Sequence, residues 1–293
     1  MQKNSKVNRL YHFLTDRWLI SGEEHTRLLG VILPALRAGN LRMAADMLAD
    51  SSVKCHATTP YLAGRWELGE STLPEGSIAI ITLDGPIFSW GTFQLERMLQ
   101  QAAENPKIIG VVLWINGPGG MATYIDVVAR QIHEMQKPVA AYVAGYMLSA
   151  HLWLGSAAGR IFIASTLAEL GSIGTMGSYL SLREYYKQMG VDLRDIYPDT
   201  SDMKNKWFRD IEERNDESLV KSQLENLHLA FAHTVAEYRG IECDMQQQLF
   251  RGATFNGEEA IAEGIADQVG TLLDAVQWVV AQSTLRVIDT TLK

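Results

Sequence analysis

The 293-residue sequence lacks most features of secreted, disulfide-bonded and nucleic-acid-binding proteins. Its two cysteines, Cys55 and Cys243, lie far apart and outside any CxxC pair, which predicts reduced thiols in a cytosol-like compartment. Its 26 basic residues are outnumbered by 34 acidic ones, and the net charge is −8. Because a nucleic-acid binder usually presents a basic face, we expect no direct recognition of nucleic acid.

Targeting and membrane signals are also scarce. The N-terminus has no apolar core followed by a small-residue cleavage site, so we expect no secretory signal. Residues 138–159 carry no charged side chain, and about 20 uncharged residues are enough to span a bilayer. The run is only moderately hydrophobic and contains glycines, serines and a histidine, which favours a buried strand and helix over a membrane span.

Metal-ligand spacings are weak. His228 and His233 are five positions apart, whereas two ligands on one helix face need a spacing of four. His133-Glu134 is not followed by a second histidine at the required distance. We therefore expect neither a metal nor another cofactor.

Shifts in composition divide the chain into three parts. The first predicts helices over 1–50 and then a linker or extended arm over 51–76. One helix has Ser21 and Glu24 as its start signal and Gly39 as its stop, and a second, short helix follows over 41–49. The second predicts buried strands alternating with helices, including a strand over 191–198 and a long charged helix from about 209 to 240. That alternation is typical of an α/β fold with a mostly parallel sheet. The N-terminal extension and linker take up residues 1–76, the compact domain 77–280 and the tail 281–293.

The first candidate for chemistry is Asn116-Gly117-Pro118-Gly119-Gly120, directly after a near-continuous apolar strand. Glycines there permit positive φ and let backbone N–H groups point at an anion. Such a group can supply half of an oxyanion hole in acyl transfer. A tight strand-to-helix turn has the same composition, and a P-loop is excluded because no Gly-Lys-Ser/Thr follows.

The second candidate is Ser149, within GYMLSAHLW after the next apolar strand. At a helix start, its hydroxyl lies near N–H groups, and the amide of Ala150 can complete an oxyanion hole. A small residue in a packed helix is the alternative. His151 is a poor base for this serine, because residues i and i+2 on a helix face different directions.

A serine nucleophile needs a base, and Lys204 and Lys206 lie downstream in YPDTSDMKNKWF. A lysine in a desolvated pocket can become neutral enough to accept a proton. Solvent-exposed loop lysines are the alternative for either residue.

Together, strand–NGPGG–helix–strand–GYMLSAH–strand–GSIG resembles the signal peptide peptidase A family of Ser/Lys proteases, which share the Clp/crotonase fold. The resemblance covers roughly residues 78–275. It is most specific over GATFNGEEAIAEGIAD, which follows the family's pattern G-x-x-F-x-G-x-x-A-x-x-x-G-x-x-D. It looks closest to the bacteriophage capsid assembly (prohead) proteases.

The resemblance implies a Clp/crotonase-like ββα superhelix with a helical N-terminal extension and a long C-terminal helix. It implies Ser149 as the nucleophile, Lys204 as the base, and Gly119, Gly120 and Ala150 around the oxyanion. Ser172 or Ser178 would orient the lysine. The sequence departs from the family by placing Ala150 and His151 where glycines usually follow the nucleophile, and by placing Lys206 so close to Lys204 that the base could be either.

The resemblance also implies a role. We expect a serine endopeptidase that cleaves scaffold and capsid proteins, works as a homo-oligomeric ring, and acts in the host cytoplasm inside an assembling capsid. A self-cleaved N-terminal extension fits that role. The alternatives are a cytoplasmic or membrane-associated peptidase that degrades signal peptides, a non-catalytic assembly protein of the same fold, and an acyl-CoA enzyme. The absence of a histidine near Gly171–Gly177 disfavours a Ser/His/Asp triad.

Overall fold

The computed structural model describes residues 13, 17–20, 22–40, 43–44, 46, 48, 53–59, 62–179, 181, 183–192 and 194–291. Its strands are β1 Trp18–Ile20, β2 Val53–Thr59, β3 Leu62–Trp66, β4 Ser77–Asp84, β5 Ile108–Gly117, β6 Gly119–Met121, β7 Val139–Leu148, β8 Arg160–Ile163, β9 Glu169–Gly171, β10 Thr254–Asn256 and β11 Gln268–Val269. Its α-helices are α1 Gly22–Arg37, α2 Ser89–Glu104, α3 Ile125–His133, α4 Ala150–Ser156, α5 Arg183–Gln188, α6 Lys206–Arg214, α7 Ser218–Arg239, α8 Gly257–Ala262 and α9 Leu272–Thr291.

Nine of the described strands form one sheet, in the order β10-β9-β7-β5-β4-β2-β3, with β8 also beside β7 and β11 beside β8. The central pairs β4–β5 and β5–β7 are parallel, as are the pairs of β7 with β8 and β9. The edge strands β2, β3 and β10 pair in the antiparallel direction. The mixed, mostly parallel sheet with helices confirms the predicted α/β class.

Helices cover both faces of this sheet. Successive strand residues point to opposite sides, so the apolar side chains of each central strand pack against helices on both faces. On β4, Ala79 and Ile81 face the main core, where α2, α3, α4 and α7 pack. Ile78 and Ile80 face a second cluster built with Val276 and other residues of α9. The near-continuous apolar sequence of the central strands is thereby explained, since both of their faces are buried.

The N-terminal part differs from the prediction in two places. Helix α1 forms as expected and ends before Gly39, whose φ of +68° suits a glycine. However, 53–59 and 62–66, predicted as linker, form the antiparallel strands β2 and β3 toward the sheet edge. Residues 18–20 form strand β1 rather than helix, and much of the short helix expected over 41–49 lies outside the described residues. Turn-forming residues in 51–76 concealed the strand pairing, which depends on the neighbouring β4.

The second half also departs from the prediction. The described residues of 191–198 are irregular rather than a strand. The long helix expected over 209–240 is two helices, α6 and α7, separated at Asn215, which has a φ of +53°. Helix α9 runs through position 280, so the C-terminal boundary predicted there falls inside a helix.

The C-terminal glycine pattern, Gly252 to Asp267, has a structural role. Gly264 takes a φ of +78°, and a Cβ on Gly257 would approach the carbonyl oxygen of Ser165 to 2.8 Å. Asp267 accepts hydrogen bonds from the amide of Ile161 at 2.6 Å and from the guanidinium of Arg239 at 2.8 Å. The pattern therefore ties β8 to the end of α7 and does not itself supply reactive groups.

Candidate active site

Ser149 lies at the junction of β7 and α4, where the central strand ends and the chain turns into a buried helix. Its φ of 54° and ψ of −116° are close to the first central position of a type II′ turn, which glycine normally occupies. Its amide donates to the carbonyl oxygen of Gly171 at 2.9 Å, and its carbonyl accepts from the amide of Trp153 at 3.0 Å. Strand β9 and helix α4 thus hold a non-glycine residue in a strained conformation, a pattern that concentrates at functional sites.

The Ser149 side chain is buried, and the residue is 1% exposed. Its hydroxyl oxygen has no hydrogen-bond partner within the described part of the chain. A buried hydroxyl without a partner is costly in an ordinary core, which favours a reason other than packing for this serine. The adjoining Ala150 amide is the first N–H of α4 and has no intrahelical acceptor.

The glycine segment reaches the same region at the carboxyl end of β5. A Cβ on Gly120 would lie 1.9 Å from the carbonyl oxygen of Ile87, and one on Gly119 would lie 2.1 Å from that of Leu19. A side chain on Gly120 would prevent its close approach to the Ile87 backbone, and one on Gly119 would prevent its close approach to the Leu19 backbone. The helix α4 that follows Ser149 packs against this segment, so the structure brings the predicted Gly119, Gly120 and Ala150 into one neighbourhood with Ser149.

His151 has a structural role that the sequence did not reveal. Its Nδ1 accepts a hydrogen bond from the Gly119 amide at 3.1 Å, and its ring lies against Gly117. Complete burial lowers the pKa of His151 to about 3, so the ring is neutral near pH 7 and carries its proton on Nε2. His151 therefore positions the glycine segment, whereas its spacing from Ser149 had indicated only that it is a poor base for this serine.

Strand β1 is the second feature that sequence patterns missed. It pairs with β6 in the antiparallel direction, with Leu19 opposite Gly120 and Ile20 opposite Gly119. On its other side, Trp18 and Met176 exchange two backbone hydrogen bonds of 3.0 Å each. Three residues are too few to show strand periodicity, and both partners are distant in sequence.

The candidate bases lie around the start of α6. Lys204 is exposed, and its backbone amide donates to the Ser201 carbonyl at 3.1 Å. The ammonium of Lys206 pairs with the buried carboxylate of Asp210 at 2.5 Å. Because the Ser149 hydroxyl has no hydrogen-bond partner among the described residues, neither lysine is bonded to it. The Ser149–Lys204 pairing stays a prediction.

Ser172 and Ser178, the serines expected to orient the lysine, contact other residues. Ser172 has a φ of 57°, and its amide donates to the carbonyl of Ala253 at 2.7 Å. The Ser178 hydroxyl lies 3.4 Å from Nε2 of His25, the ring of which packs edge-on against Trp18. The contact of Ser178 with His25 joins the segment after β9 to the N-terminal extension.

A cavity of about 770 Å³ lies beside this junction. Arg17, just before β1, and Ser178 line one part of it, and Trp207 and Ile211 of α6 line another. The helix that begins at Lys206 thus faces the same cavity as the start of β1.

Among the described residues, no three or more histidine, cysteine, aspartate or glutamate side chains are grouped so that they could hold a metal ion. No helix in the described ranges has the length and apolar character needed to cross a membrane.

Comparisons with known proteins show the family of this chain. The model of peptidase family S49 matches residues 131–286, more than half of the chain. The sequence is 32% identical over 61% of its length to the head-tail preconnector protein GP5 of Enterobacteria phage P21, covering 35% of that protein. It is 30% identical over 61% of its length to the capsid assembly protease C of Escherichia phage lambda, covering 40% of it.

A cellular relative matches over a longer stretch. The putative signal peptide peptidase SppA of Enterococcus faecium is 24% identical over 89% of this chain and 79% of its own length. By contrast, the chain spans well under half of the length of each of the two phage relatives.

Proposed function

Because the chain belongs to peptidase family S49, we propose that it is a serine peptidase with Ser149 as its nucleophile and Lys204 as its base. The observation that carries the proposal is Ser149 itself, a strained residue between β7 and α4 whose buried hydroxyl has no hydrogen-bond partner among the described residues. The strand-to-helix turn places the serine at the end of the sheet near the glycine segment. The Clp/crotonase-like superhelix belongs to the same proposal, supported by the mostly parallel sheet.

The proposed mechanism is acyl transfer. Neutral Lys204 takes the proton from the Ser149 hydroxyl as its oxygen attacks the peptide carbonyl. The amides of Gly120 and Ala150 donate hydrogen bonds to the oxyanion of the tetrahedral intermediate. Lys204 then gives the proton to the leaving amine, and water hydrolyses the ester in a second, equivalent cycle. In this scheme His151 holds Gly119 and thereby orients the next amide.

The contacts of the two lysines support Lys204 over Lys206 as the base. The Lys206 ammonium is engaged by Asp210, a carboxylate that is 3% exposed and also binds Arg214 at 3.0 Å. Lys204 forms no ion pair among the described residues, so its amine is available to move toward the serine. The proposed reaction requires that movement, because Lys204 is exposed here.

The phage relatives support a role in capsid maturation. We infer that the substrates are scaffold and capsid proteins, cut by a homo-oligomeric ring inside an assembling capsid in the host cytoplasm. The long match to the Enterococcus faecium protein favours a second candidate, a peptidase that degrades signal peptides. A non-catalytic assembly protein of the same fold would keep the sheet but not need the serine.

Cleavage of an unfolded protein tests the proposal. Purified wild type and the variants Ser149→Ala, Lys204→Ala and Lys206→Ala are incubated with reduced, unfolded casein, and the products are measured by mass spectrometry. We expect cleavage by wild type and Lys206→Ala only. Cleavage that persists in Ser149→Ala contradicts the assigned nucleophile, and loss in Lys206→Ala with retention in Lys204→Ala transfers the role of the base.

A further inference from the structure

We propose that strand β1 occupies the peptide groove of this site as an internal inhibitor, so that it has to leave before a substrate strand can bind. This inference rests on the proposed function, because it treats the groove beside Ser149 as the place of substrate binding. It adds the mode of binding, the kind of side chain accepted and the way in which the enzyme is kept inactive.

Backbone pairing on both sides of β1 supports this role. One edge of the groove is β6, and the other is the segment at Met176, which exchanges two hydrogen bonds with Trp18. Without β1, both edges would present unpaired N–H and C=O groups, the arrangement to which an extended peptide adds as a strand. The occupant that fits is therefore an extended chain, bound mainly through its backbone.

The side chain of Leu19 defines a pocket. Alternation along β1 places Trp18 and Ile20 in the small N-terminal cluster, whereas Leu19 is fully buried and belongs to the main core. The N-terminal cluster joins β1 and α1 to Phe88 and to β6, so β1 leaves only when these apolar contacts break. When Leu19 leaves, it opens an apolar pocket next to Gly120, which predicts a leucine-sized residue at that register of the substrate.

The glycine segment is covered while β1 is bound. Leu19 faces Gly120, the amide of which is assigned to the oxyanion, and the Leu19 carbonyl lies close enough to Gly119 to exclude any side chain there. The Ser149 hydroxyl is buried. A strand tethered to its own groove acts at an effective concentration in the millimolar range, so an external peptide competes poorly with it.

A locked and a released variant test the inference without catalysis. The amide of Ala122 donates to the Arg17 carbonyl at 2.8 Å, next to the paired Trp18 and Met121. Arg17 and Ala122 therefore lie opposite each other as a hydrogen-bonded antiparallel pair. The Cα atoms of such residues are about 5.5 Å apart, within the range of a disulfide. Arg17→Cys with Ala122→Cys therefore locks β1 in place under oxidising conditions, and Leu19→Asp releases it by placing a charge in the apolar pocket.

The probe is the fluorescent peptide TDRWLISG, which reproduces residues 15–22, titrated against each variant in a Ser149→Ala background. We expect Leu19→Asp to bind it at least about tenfold more tightly than the oxidised locked protein, a difference of about 1.4 kcal/mol. Reduction of the disulfide should restore the affinity of the parent protein. Val31→Asp, at an exposed position of α1, is the matched control and should bind like the parent.

Equal binding by the locked and released proteins, or none by a folded Leu19→Asp, overturns the inference. With Ser149 restored, we expect the oxidised lock to cut casein at least about tenfold more slowly than its reduced form. If the released protein binds the peptide but neither it nor wild type cuts any substrate, the proposed function fails and the groove assignment stands.

Discussion

The Gly119 amide donates its hydrogen bond to the buried Nδ1 of His151, at 3.1 Å. This contact connects the glycine segment after β5 with the turn that carries the candidate nucleophile. It requires a neutral imidazole, because a protonated ring has no acceptor nitrogen. The geometry of the proposed oxyanion donors therefore depends on the protonation state of His151, which takes no part in the proposed proton transfer.

This dependence predicts acid sensitivity. Burial lowers the pKa of His151 from its ordinary value of 6.5 to about 3. Between these values the unfolded chain binds a proton that the folded chain excludes, so the free energy of unfolding falls as the pH falls from 6.5 toward 3 and is constant in this respect above 6.5. His151→Asn keeps an acceptor but cannot titrate. In urea denaturation at each pH, wild type should lose about 1.4 kcal/mol more per pH unit than this variant. Parallel profiles would contradict the assignment.

The strain at Ser149 predicts an unusual preference for glycine. A residue with this φ and ψ costs about 1–3 kcal/mol unless it is glycine, and glycine loses about 0.5–1 kcal/mol through the entropy of the unfolded chain. Ser149→Gly should therefore unfold at higher denaturant concentration than Ser149→Ala. Ser156, also buried but within α4, is the matched position, and there the order should reverse. The same order at both positions would show that Ser149 is not strained.

The Arg239–Asp267 pair predicts which part of the glycine pattern is indispensable for stability. The Arg239 side chain is 8% exposed, so Asp267→Ala leaves a nearly buried charge without its partner. We expect a loss of about 3–5 kcal/mol in the free energy of unfolding, and less for Asp267→Asn, which can still accept from the Ile161 amide. The exposed pair of Asp126 with Arg130 is the control, since its removal should cost under about 1 kcal/mol. A loss for Asp267→Ala as small as for Asp126→Ala would contradict this account.

The sequence predicted those parts of the molecule that are governed by local patterns. Continuous apolar runs identified the parallel strands, and glycines after β5 with Ser149 after β7 located the candidate site, because parallel strands end at a common edge. Strands β1, β2 and β3 were missed, since their pairing depends on partners distant along the chain. The role of His151 was missed because it arises from contact with Gly117 and Gly119 across the fold.

The lysine could be identified only by resemblance. Nothing local distinguishes Lys204 from other exposed lysines, and its proposed function requires a change of position toward Ser149. Lys206 illustrates the opposite case, in which a contact with Asp210 four residues away on the same helix explains the residue without any catalytic role.

Acylation of the enzyme tests the central claim, that Ser149 is the nucleophile, most directly. Wild type, Leu19→Asp, and each of them carrying Ser149→Ala are incubated with p-nitrophenyl acetate, and intact-mass measurement with peptide mapping locates the acetyl group. The account predicts one acetyl group on Ser149, formed faster in Leu19→Asp than in wild type, and none at position 149 after Ser149→Ala. Equal acetylation of the Ser149→Ala proteins, or no acetylation of Ser149 in the released variant, would contradict it.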